Sequence, residues 1–250
     1  RSPEVGLSPP GESSDDGEGG IDLAALAELS DAGGAVLVDV CPVAGLINPA
    51  DHQLPSTPTL ADRLGSGAQI VIADGCGLLG GPSCGIVLGG RELVGRVAAH
   101  ASTTEQRIHP LAEAALAATL QLYKKPQTAI HQIPIWQLLT APGENLKLRS
   151  ERIAALAAEA PSVVAAQAIA VNSAWCVCGE RSLHGESWAV QIETKPGDAT
   201  RLTAQLSRAG DRGAVKLPQP PASVDNQLML DLRSVFPRWD QPLAQALEDL

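Results

Sequence analysis

Short apolar runs that alternate with helix-forming segments constrain the fold of this chain more than any other feature. Three such runs have the length and composition of buried β-strands: residues 35–40, 69–73 and 85–88. Segments with helical character lie between and after them: residues 21–31, 59–64 (with Thr59 as a candidate cap), 91–100 and 111–123. Because parallel strands are joined by helical connections, this alternation predicts an α/β layer with a largely parallel sheet.

The second half of the chain has a different character. Residues 126–160 read as helical with a break around Pro142 and Gly143. Shorter elements follow: strands at 163–171, 188–193, 214–217 and 227–232, and helices at 200–208 and 241–250. This pattern predicts a separate, smaller α+β unit. The predicted organisation is therefore a flexible acidic, Gly- and Pro-containing segment at 1–20, an α/β part at 21–125 and an α+β part at 126–250.

Composition and charge limit the classes of function. Hydrophobic residues make up 44% of the chain and aromatic residues only 2%, so Ala, Val, Leu and Ile must build the core. The net charge of −10 argues against non-specific nucleic-acid binding, which needs cations to replace phosphate counterions. Lys147, Arg149 and Arg152 are locally basic, and we interpret them as a solvated helix face. No secretory signal or bilayer-spanning apolar run stands out, so we expect a cytoplasmic protein without a membrane partner.

The cysteines leave two interpretations open. There are five: Cys41, Cys76, Cys84, Cys176 and Cys178. An odd number in a chain without a secretory signal argues against a disulfide framework. Cys176 and Cys178 would share one face of a strand, a poor spacing for structural zinc. The first interpretation is that these are free thiols that act as small hydrophobic residues. The alternative is a thiol or metal site at Cys41, Cys76 and Cys84, with His100 as a further ligand.

The segment 74–86 carries the most specific motif. It reads Asp-Gly-Cys-Gly-Leu-Leu-Gly-Gly-Pro-Ser-Cys-Gly-Ile. This resembles the lysine loop of bacterial selenocysteine synthase, a pyridoxal-phosphate enzyme that converts seryl-tRNA to selenocysteinyl-tRNA. That family typically reads Ser-Gly-Asp-Lys-Leu-Leu-Gly-Gly-Pro-Gln-Ala-Gly-Ile here. Aligned without gaps, the family's Asp falls on Cys76 and its Schiff-base Lys falls on Gly77, which has no amine.

Further segments resemble the same family in the same order. They are residues 36–40 (Val-Leu-Val-Asp-Val), 114–123, 135–140 and 228–235, so the resemblance covers roughly residues 20–245. It implies the C-terminal part of the large domain of a fold-type-I pyridoxal-phosphate enzyme, with a mostly parallel sheet, followed by its small α+β domain. Residues 179–185 resemble a loop of that small domain. We expect the family's tRNA-binding region and its cofactor-phosphate loop upstream of Arg1, and the chain to be a fragment or a processed form.

The resemblance also assigns candidate site residues. It implies that Asp39 pairs with the pyridine nitrogen of pyridoxal phosphate, whereas the residues alone equally favour a turn cap before Pro42. Thr103 and Thr104 replace a Lys-Arg pair that would bind an anionic selenium donor or the cofactor phosphate. We therefore expect no catalytic residue, no metal ligand and no covalent attachment of the cofactor.

Three functions follow from these observations. The preferred one is a selenocysteine-synthase-like protein that is catalytically degenerate and has an assembly or binding role, as a homo-oligomer or as the partner of a paralogue. The second is an active L-seryl-tRNA(Sec) selenium transferase that uses the cofactor unconventionally. The third is a thiol- or metal-dependent activity in a remodelled pocket. The family also implies tRNA as a partner, and the net charge of −10 predicts that this chain binds it weakly.

Overall fold

The computed structural model describes residues 22–178, 181–196, 198–211, 222–224 and 226–248. The helices are α1 (Leu23–Gly33), α2 (Leu60–Gly65), α3 (Arg91–Ala99), α4 (Ala101–Glu105), α5 (Pro110–Leu122), α6 (Pro126–Gln132), α7 (Pro134–Leu139), α8 (Gly143–Ala157), α9 (Asp198–Asp211) and α10 (Asp240–Glu248). The strands are β1 (Val38–Val40), β2 (Ile70–Asp74), β3 (Gly85–Gly89), β4 (Val163–Cys178), β5 (Arg181–Thr194), β6 (Ala222–Val224) and β7 (Gln227–Asp231). The predicted segment 1–20 and the predicted strand 214–217 lie outside the described residues.

The described residues form two compact units, which separate between Gln137 and Leu138. The sequence places this boundary near residue 125. Helices α6 and α7 explain the difference, because Ala129, Ile130 and Trp136 pack into a buried cluster together with residues of the first unit. The assignment of the two units to the large and small domains of a pyridoxal-phosphate enzyme stays a prediction.

The first unit contains a three-stranded sheet in the order β1-β2-β3. Strand β1 is parallel to β2, and Val38 pairs with Ile70. Strand β3 is antiparallel to β2, and Ile72 pairs with Val87. The sequence predicts a largely parallel sheet, and β3 is the antiparallel exception among the three described strands. The physical reason is its connection, because residues 75–84 contain no helix and are too few for a parallel crossover.

One face of this sheet packs against a buried core. Val71, Ala73 and the thiol of Cys41 belong to this core, and Leu60 of α2 packs with them. The predicted strand 35–40 is regular only over β1, and Val38 and Val40 are exposed. It is therefore not the buried strand that its apolar composition indicates, because β1 is the edge of the described sheet and its valines project away from the core.

Local capping agrees with the sequence at α2. Thr59 is its N-cap and forms a capping box with Asp62, in which each side chain accepts a hydrogen bond from the other's backbone N–H. Hydrogen bonds from the Thr59 backbone and hydroxyl lower the pKa of the Asp62 carboxyl. The capping residue thereby fixes where α2 begins, and α2 carries the only side chain that pairs with Asp39 among the described residues.

The second unit is an α+β layer with strand order β4-β5-β7-β6. Helices α8, α9 and α10 supply much of its core, which includes Ile153, Leu206 and Leu243. Residues 181–185 belong to β5 rather than to a loop, so that prediction is wrong for the part of residues 179–185 that the structure describes.

The basic residues of α8 are not simply a solvated face. Arg149 is mostly buried, and its guanidinium contacts the Asp240 carboxylate at 2.7 Å and donates to the Val235 carbonyl at 2.7 Å. Arg152 pairs with the same carboxylate at 2.5 Å. The interpretation as a solvated helix face is therefore wrong for Arg149, because the packing of α10 against α8 places the buried Asp240 carboxylate beside its guanidinium. Among the described residues, no helix combines the length and the apolar character needed to cross a membrane.

Candidate functional site

The candidate site is the turn between β2 and β3, where the sequence predicts a degenerate lysine loop. This turn folds back on itself through backbone hydrogen bonds from Gly75 N to Cys84 O at 2.8 Å and from Gly81 N to Gly75 O at 2.8 Å. Gly80 N also donates to Gly77 O at 3.0 Å. The backbone of the turn is thus held by its own hydrogen bonds, without any contribution from a side chain at position 77.

Two aromatic side chains bind the same turn from outside. The Tyr123 hydroxyl donates toward the carbonyls of Leu78 and Leu79, each at 3.0 Å. The Trp136 indole N–H donates to Leu78 O at 3.1 Å and to the Tyr123 hydroxyl at 2.9 Å. Burial raises the pKa of Tyr123, so its hydroxyl stays protonated and able to donate at neutral pH. We refer to Tyr123, Trp136 and these two carbonyls as the aromatic clasp.

The Leu-Leu-Gly-Gly motif is explained by packing. Leu78 and Leu79 are almost fully buried. Gly80 has φ +65°, and a Cβ atom there would lie 2.3 Å from Ile133 Cγ2. Only glycine fits this left-handed and crowded position. The presence of the motif therefore reports the fold of the turn and does not require a working active site.

Position 77 itself leaves no room for a side chain. A Cβ atom on Gly77 would lie 2.9 Å from the carbonyl oxygen of Pro42, closer than normal Cβ contacts. Pro42 follows directly after β1 and Cys41, whose amide donates to Ile72 O at 2.8 Å. Because the obstructing atom belongs to the backbone, a side-chain rotation cannot relieve the contact. Position 77 therefore lacks a side-chain amine, and the backbone of Pro42 also crowds the place where a side chain would begin.

The carboxylate of Asp39 already has a cationic partner. Arg63 of α2 places Nε 2.8 Å from Asp39 Oδ2 as an ion pair outside hydrogen-bond geometry, and its Nη2 donates to Oδ1 at 3.3 Å. The Asp39 side chain is only 11% exposed. Arg63 thus places a positive charge directly beside the carboxylate of Asp39. Among the described residues, the Asp39 carboxylate accepts no hydrogen bond from a backbone N–H of the turn before Pro42, as the turn-cap alternative would require.

The described cysteines lie in different environments around the turn. Cys41 is buried in the core, and Cys84 Sγ packs so close to Gly75 that a Cβ atom there would be 2.6 Å away. Cys76 is exposed, and its amide donates to Asp74 Oδ1 at 2.9 Å. A hydrogen bond to the Asp74 carboxylate raises the pKa of the Cys76 thiol, which burial and the negative charge of Asp74 raise further. The thiolate needed for nucleophilic chemistry is thereby disfavoured.

The further ligands considered for a metal site have structural partners. His100 is the N-cap of α4, and its Nδ1 accepts from Ser102 N at 3.3 Å. Thr104, one of the two threonines in place of the family's cations, donates its hydroxyl to His100 O at 3.3 Å. Within the described ranges, no group of three or more His, Cys, Asp or Glu side chains could hold a metal ion. The side chains of Cys176 and Cys178 lie outside what the structure describes.

The comparison with known families decides the relationship. The profile of the SelA family, L-seryl-tRNA selenium transferase, matches residues 18–236. The chain belongs to the L-seryl-tRNA selenium transferase family. Relatives in this family include the L-seryl-tRNA(Sec) selenium transferase of Moorella thermoacetica, 33% identical over 231 residues. That match covers 88% of this chain and 47% of the relative. The enzyme of Yersinia enterocolitica is 32% identical over 212 residues, covering 84% of this chain and 43% of the relative.

The fold comparison agrees with this membership. The solved structure of D-glucosaminate-6-phosphate ammonia-lyase is similar with a TM-score of 0.53 and 15% sequence identity. The match covers 92% of this chain and 53% of the lyase chain. The likeness confirms the predicted fold class, an α/β part followed by a smaller α+β part. The chain spans about half the length of the selenium transferases it matches.

The family indicates pyridoxal phosphate as the cofactor. The residues of the present chain do not fit its covalent attachment. Gly77, which the resemblance aligns with the family's lysine, has no side-chain amine, and a Cβ atom there would lie 2.9 Å from Pro42 O. Asp39 is paired with Arg63. Two lysines of the second unit have other contacts: Lys195 donates to Pro161 O at 2.7 Å, and Lys147 lies 5.4 Å from the centre of the Trp188 ring.

Sequence reasoning finds the glycine, the aspartate and the cysteines of this site but misses their partners. Arg63 and Pro42 are missed because no sequence spacing links them to Asp39 and Gly77. Tyr123 lies in a segment that resembles the family, yet its contact with the turn arises only when α5 packs in three dimensions. The single tyrosine of a chain with so few aromatic residues is the one signal that could have indicated a structural hydroxyl.

Proposed function

We propose that this chain is a catalytically degenerate member of the selenium transferase family with a binding or assembly role. The observation that carries the proposal is the closed position 77, where Gly77 replaces the family's lysine and the Pro42 carbonyl leaves no space for a side chain. The Asp39–Arg63 ion pair supports it, because a carboxylate that already has a cation has less to gain from a pyridinium nitrogen. The intact turn supports a role that needs the fold.

The proposal is tested by reductive trapping. The chain is mixed with pyridoxal phosphate and reduced with borohydride, and labelled lysines are located by mass spectrometry. We expect only low labelling, scattered over several lysines. An unrelated lysine-containing protein treated with the same excess of pyridoxal phosphate should show the same level. Stoichiometric labelling of one lysine would overturn the proposal and favour an active transferase that uses a displaced amine. The selenium transferase of M. thermoacetica is the positive control.

The same proposal includes weak binding of tRNA. The net charge of −10 leaves few phosphate contacts available, and each contact contributes to a salt-dependent affinity. We expect filter binding of a serine-accepting tRNA at physiological salt to give no saturation in the range where the M. thermoacetica relative saturates. Saturable binding that distinguishes this tRNA from a non-cognate tRNA would contradict this part of the proposal.

A further inference from the structure

Two histidines of the first unit hold the starts of consecutive helices in the same way. His100 is the N-cap of α4, and its Nδ1 accepts a hydrogen bond from Ser102 N at 3.3 Å. His109 is the N-cap of α5, and its Nδ1 accepts from Leu111 N at 3.2 Å. The backbone of both residues is extended, with ψ 138° at His100 and 141° at His109. We refer to these two side chains as the histidine caps.

The start of α5 depends on its cap because the first turn offers few other bonds. Pro110 occupies the first helical position and has no N–H, so the Leu111 N–H is the first donor of the helix. The Ala112 N–H already donates to His109 O at 2.8 Å. Within the described residues, the His109 imidazole is the acceptor found for Leu111. The residues that usually cap a helix do not change charge near neutral pH, whereas histidine does.

The bond to Leu111 requires a neutral ring. Nδ1 can accept only when the imidazole carries its single proton on Nε2. In the protonated ring both nitrogens are donors, so Nδ1–H would face the Leu111 N–H and the hydrogen bond would be lost. The same proton would place a cation at the positive end of the α5 dipole. Both effects weaken the start of α5, and His109 is exposed to solvent, which supplies the proton.

His100 differs from His109 in one respect. It also ends α3, where its backbone N–H donates to Val97 O at 3.2 Å. A cation is favoured at the C-terminal end of α3 and disfavoured at the N-terminal end of α4, so the two dipole effects oppose each other. The loss of the bond to Ser102 is what remains for His100. We therefore expect His109 to dominate the response to pH.

The ionisable groups around the histidine caps carry both signs. Those on residues 100–113 are Glu105, Arg107 and Glu113. Helix α3, which packs with α4, carries Arg91, Glu92 and Arg96. Helix α6, which packs with α5, is preceded by Lys124 and Lys125 and contains His131. The turn that packs on α5 carries Asp74, Cys76 and Cys84. None of the described carboxylates forms an ion pair with either imidazole, so none of them holds a ring in its protonated form.

We propose that the histidine caps make the segment from His100 to the first turn of α5 sensitive to pH. The starts of α4 and α5 are capped while His100 and His109 are neutral, and they are released when the rings take up a proton. The stabilisation by the caps is therefore present at about pH 8 and is lost as the pH falls toward about pH 5. This inference goes beyond the proposed loss of catalysis and does not depend on it.

The test is amide hydrogen exchange of the whole chain at about pH 8 and about pH 5.5, on either side of the ordinary histidine titration. Rates are corrected for the intrinsic pH dependence of exchange and read by mass spectrometry on peptides covering residues 100–115. We expect the first turn of α5 to exchange about 2- to 30-fold faster at the lower pH, the range that corresponds to loss of an N-cap. Helix α8 has no histidine and no side-chain cap, so its exchange should not change.

Substitutions separate titration of the cap from its presence. His109→Asn keeps a side-chain oxygen that accepts from Leu111 N at both pH values, so we expect slow exchange at both. His109→Ala removes the acceptor, so we expect fast exchange at both. His100→Asn should suppress only the smaller response of α4. His131→Asn is the matched control, because His131 is exposed in the last turn of α6, where a cation is favoured, and it should respond like the unmodified chain.

Each other outcome overturns the inference. Equal exchange of the unmodified chain at the two pH values would show that the helix starts do not need neutral imidazoles. A pH response that persists in His109→Asn, or that disappears in His131→Asn, would assign the response to other groups. Equal acceleration of α8 would show that acid loosens the whole chain instead of releasing the caps. Circular dichroism at both pH values checks that every variant is folded.

Discussion

Substitution of Gly77 is the sharpest test of the closed site. The added Cβ atom of Gly77→Ala would lie 2.9 Å from the Pro42 carbonyl oxygen, and either the turn or the β1–Pro42 segment must move. Overpacking of this kind costs about 1–3 kcal/mol. We therefore expect Gly77→Ala to lower the free energy of unfolding by about that amount, although alanine normally stabilises relative to glycine by restricting the unfolded chain.

The measurement is urea denaturation followed by circular dichroism, with hydrogen exchange of residues 70–89 to confirm that the first unit is affected. Gly85→Ala is the matched control, because Gly85 lies in the same segment and a Cβ atom there meets nothing within 4 Å. We expect it to be neutral or to stabilise by about 0.4–1 kcal/mol. If Gly77→Ala were as stable as Gly85→Ala, the Pro42 carbonyl would not close position 77.

Gly77→Lys then separates the missing amine from the missing geometry. The substitution supplies the amine and carries the same Cβ contact, while Asp39 remains paired with Arg63. Misplacement of reacting groups by about 1 Å can cost about 100-fold in rate. We expect at most a weak aldimine absorbance band and no conversion of seryl-tRNA. Measurable conversion by this single variant would show that the remaining pocket is competent and would refute the account of a degenerate site.

Two further predictions concern the turn. Tyr123→Phe removes the hydroxyl of the aromatic clasp and should lower the free energy of unfolding by about 1 kcal/mol, because Trp136 still donates to Leu78 O; an effect within error in urea denaturation would show that the hydroxyl is dispensable. The exposed Cys76 can be alkylated by iodoacetamide and the rate followed by peptide mass spectrometry as a function of pH. The pH midpoint of this rate should lie above that of an ordinary cysteine, because the hydrogen bond to Asp74 favours the protonated thiol. Asp74→Asn should move this midpoint down, and an unchanged midpoint would contradict the assignment.

The sequence alone determines much of the fold. Periodicity places β2, β3, α2 and α5 close to where they lie, and the run after Asp74 identifies the family through its Leu-Leu-Gly-Gly core. It succeeds there because the information is local. A left-handed glycine, a capping threonine and a buried apolar strand each depend on residues a few positions away. The glycine at position 77 is equally visible, since the resemblance sets it where the family has lysine.

The sequence also misjudges elements whose environment is set elsewhere. Residues 35–40 have the composition of a buried strand, yet Val38 and Val40 are exposed because β1 is an edge in the described sheet. Arg149 reads as a solvated cation, yet Asp240 approaches it from far along the chain. In both places the outcome depends on which other element packs against these residues. Sequence periodicity carries no information about that tertiary neighbour.

The candidate site divides in the same way. Sequence identifies Asp39, Cys76 and Gly77 as the positions to inspect, and chemistry alone shows that glycine has no amine. Only the tertiary structure brings Arg63 within 2.8 Å of Asp39 and the Pro42 carbonyl against Gly77. These contacts join residues from separate elements, and their distances follow from how α2 and the end of β1 pack on the turn. Whether position 77 is merely vacant or physically closed is therefore decided by packing.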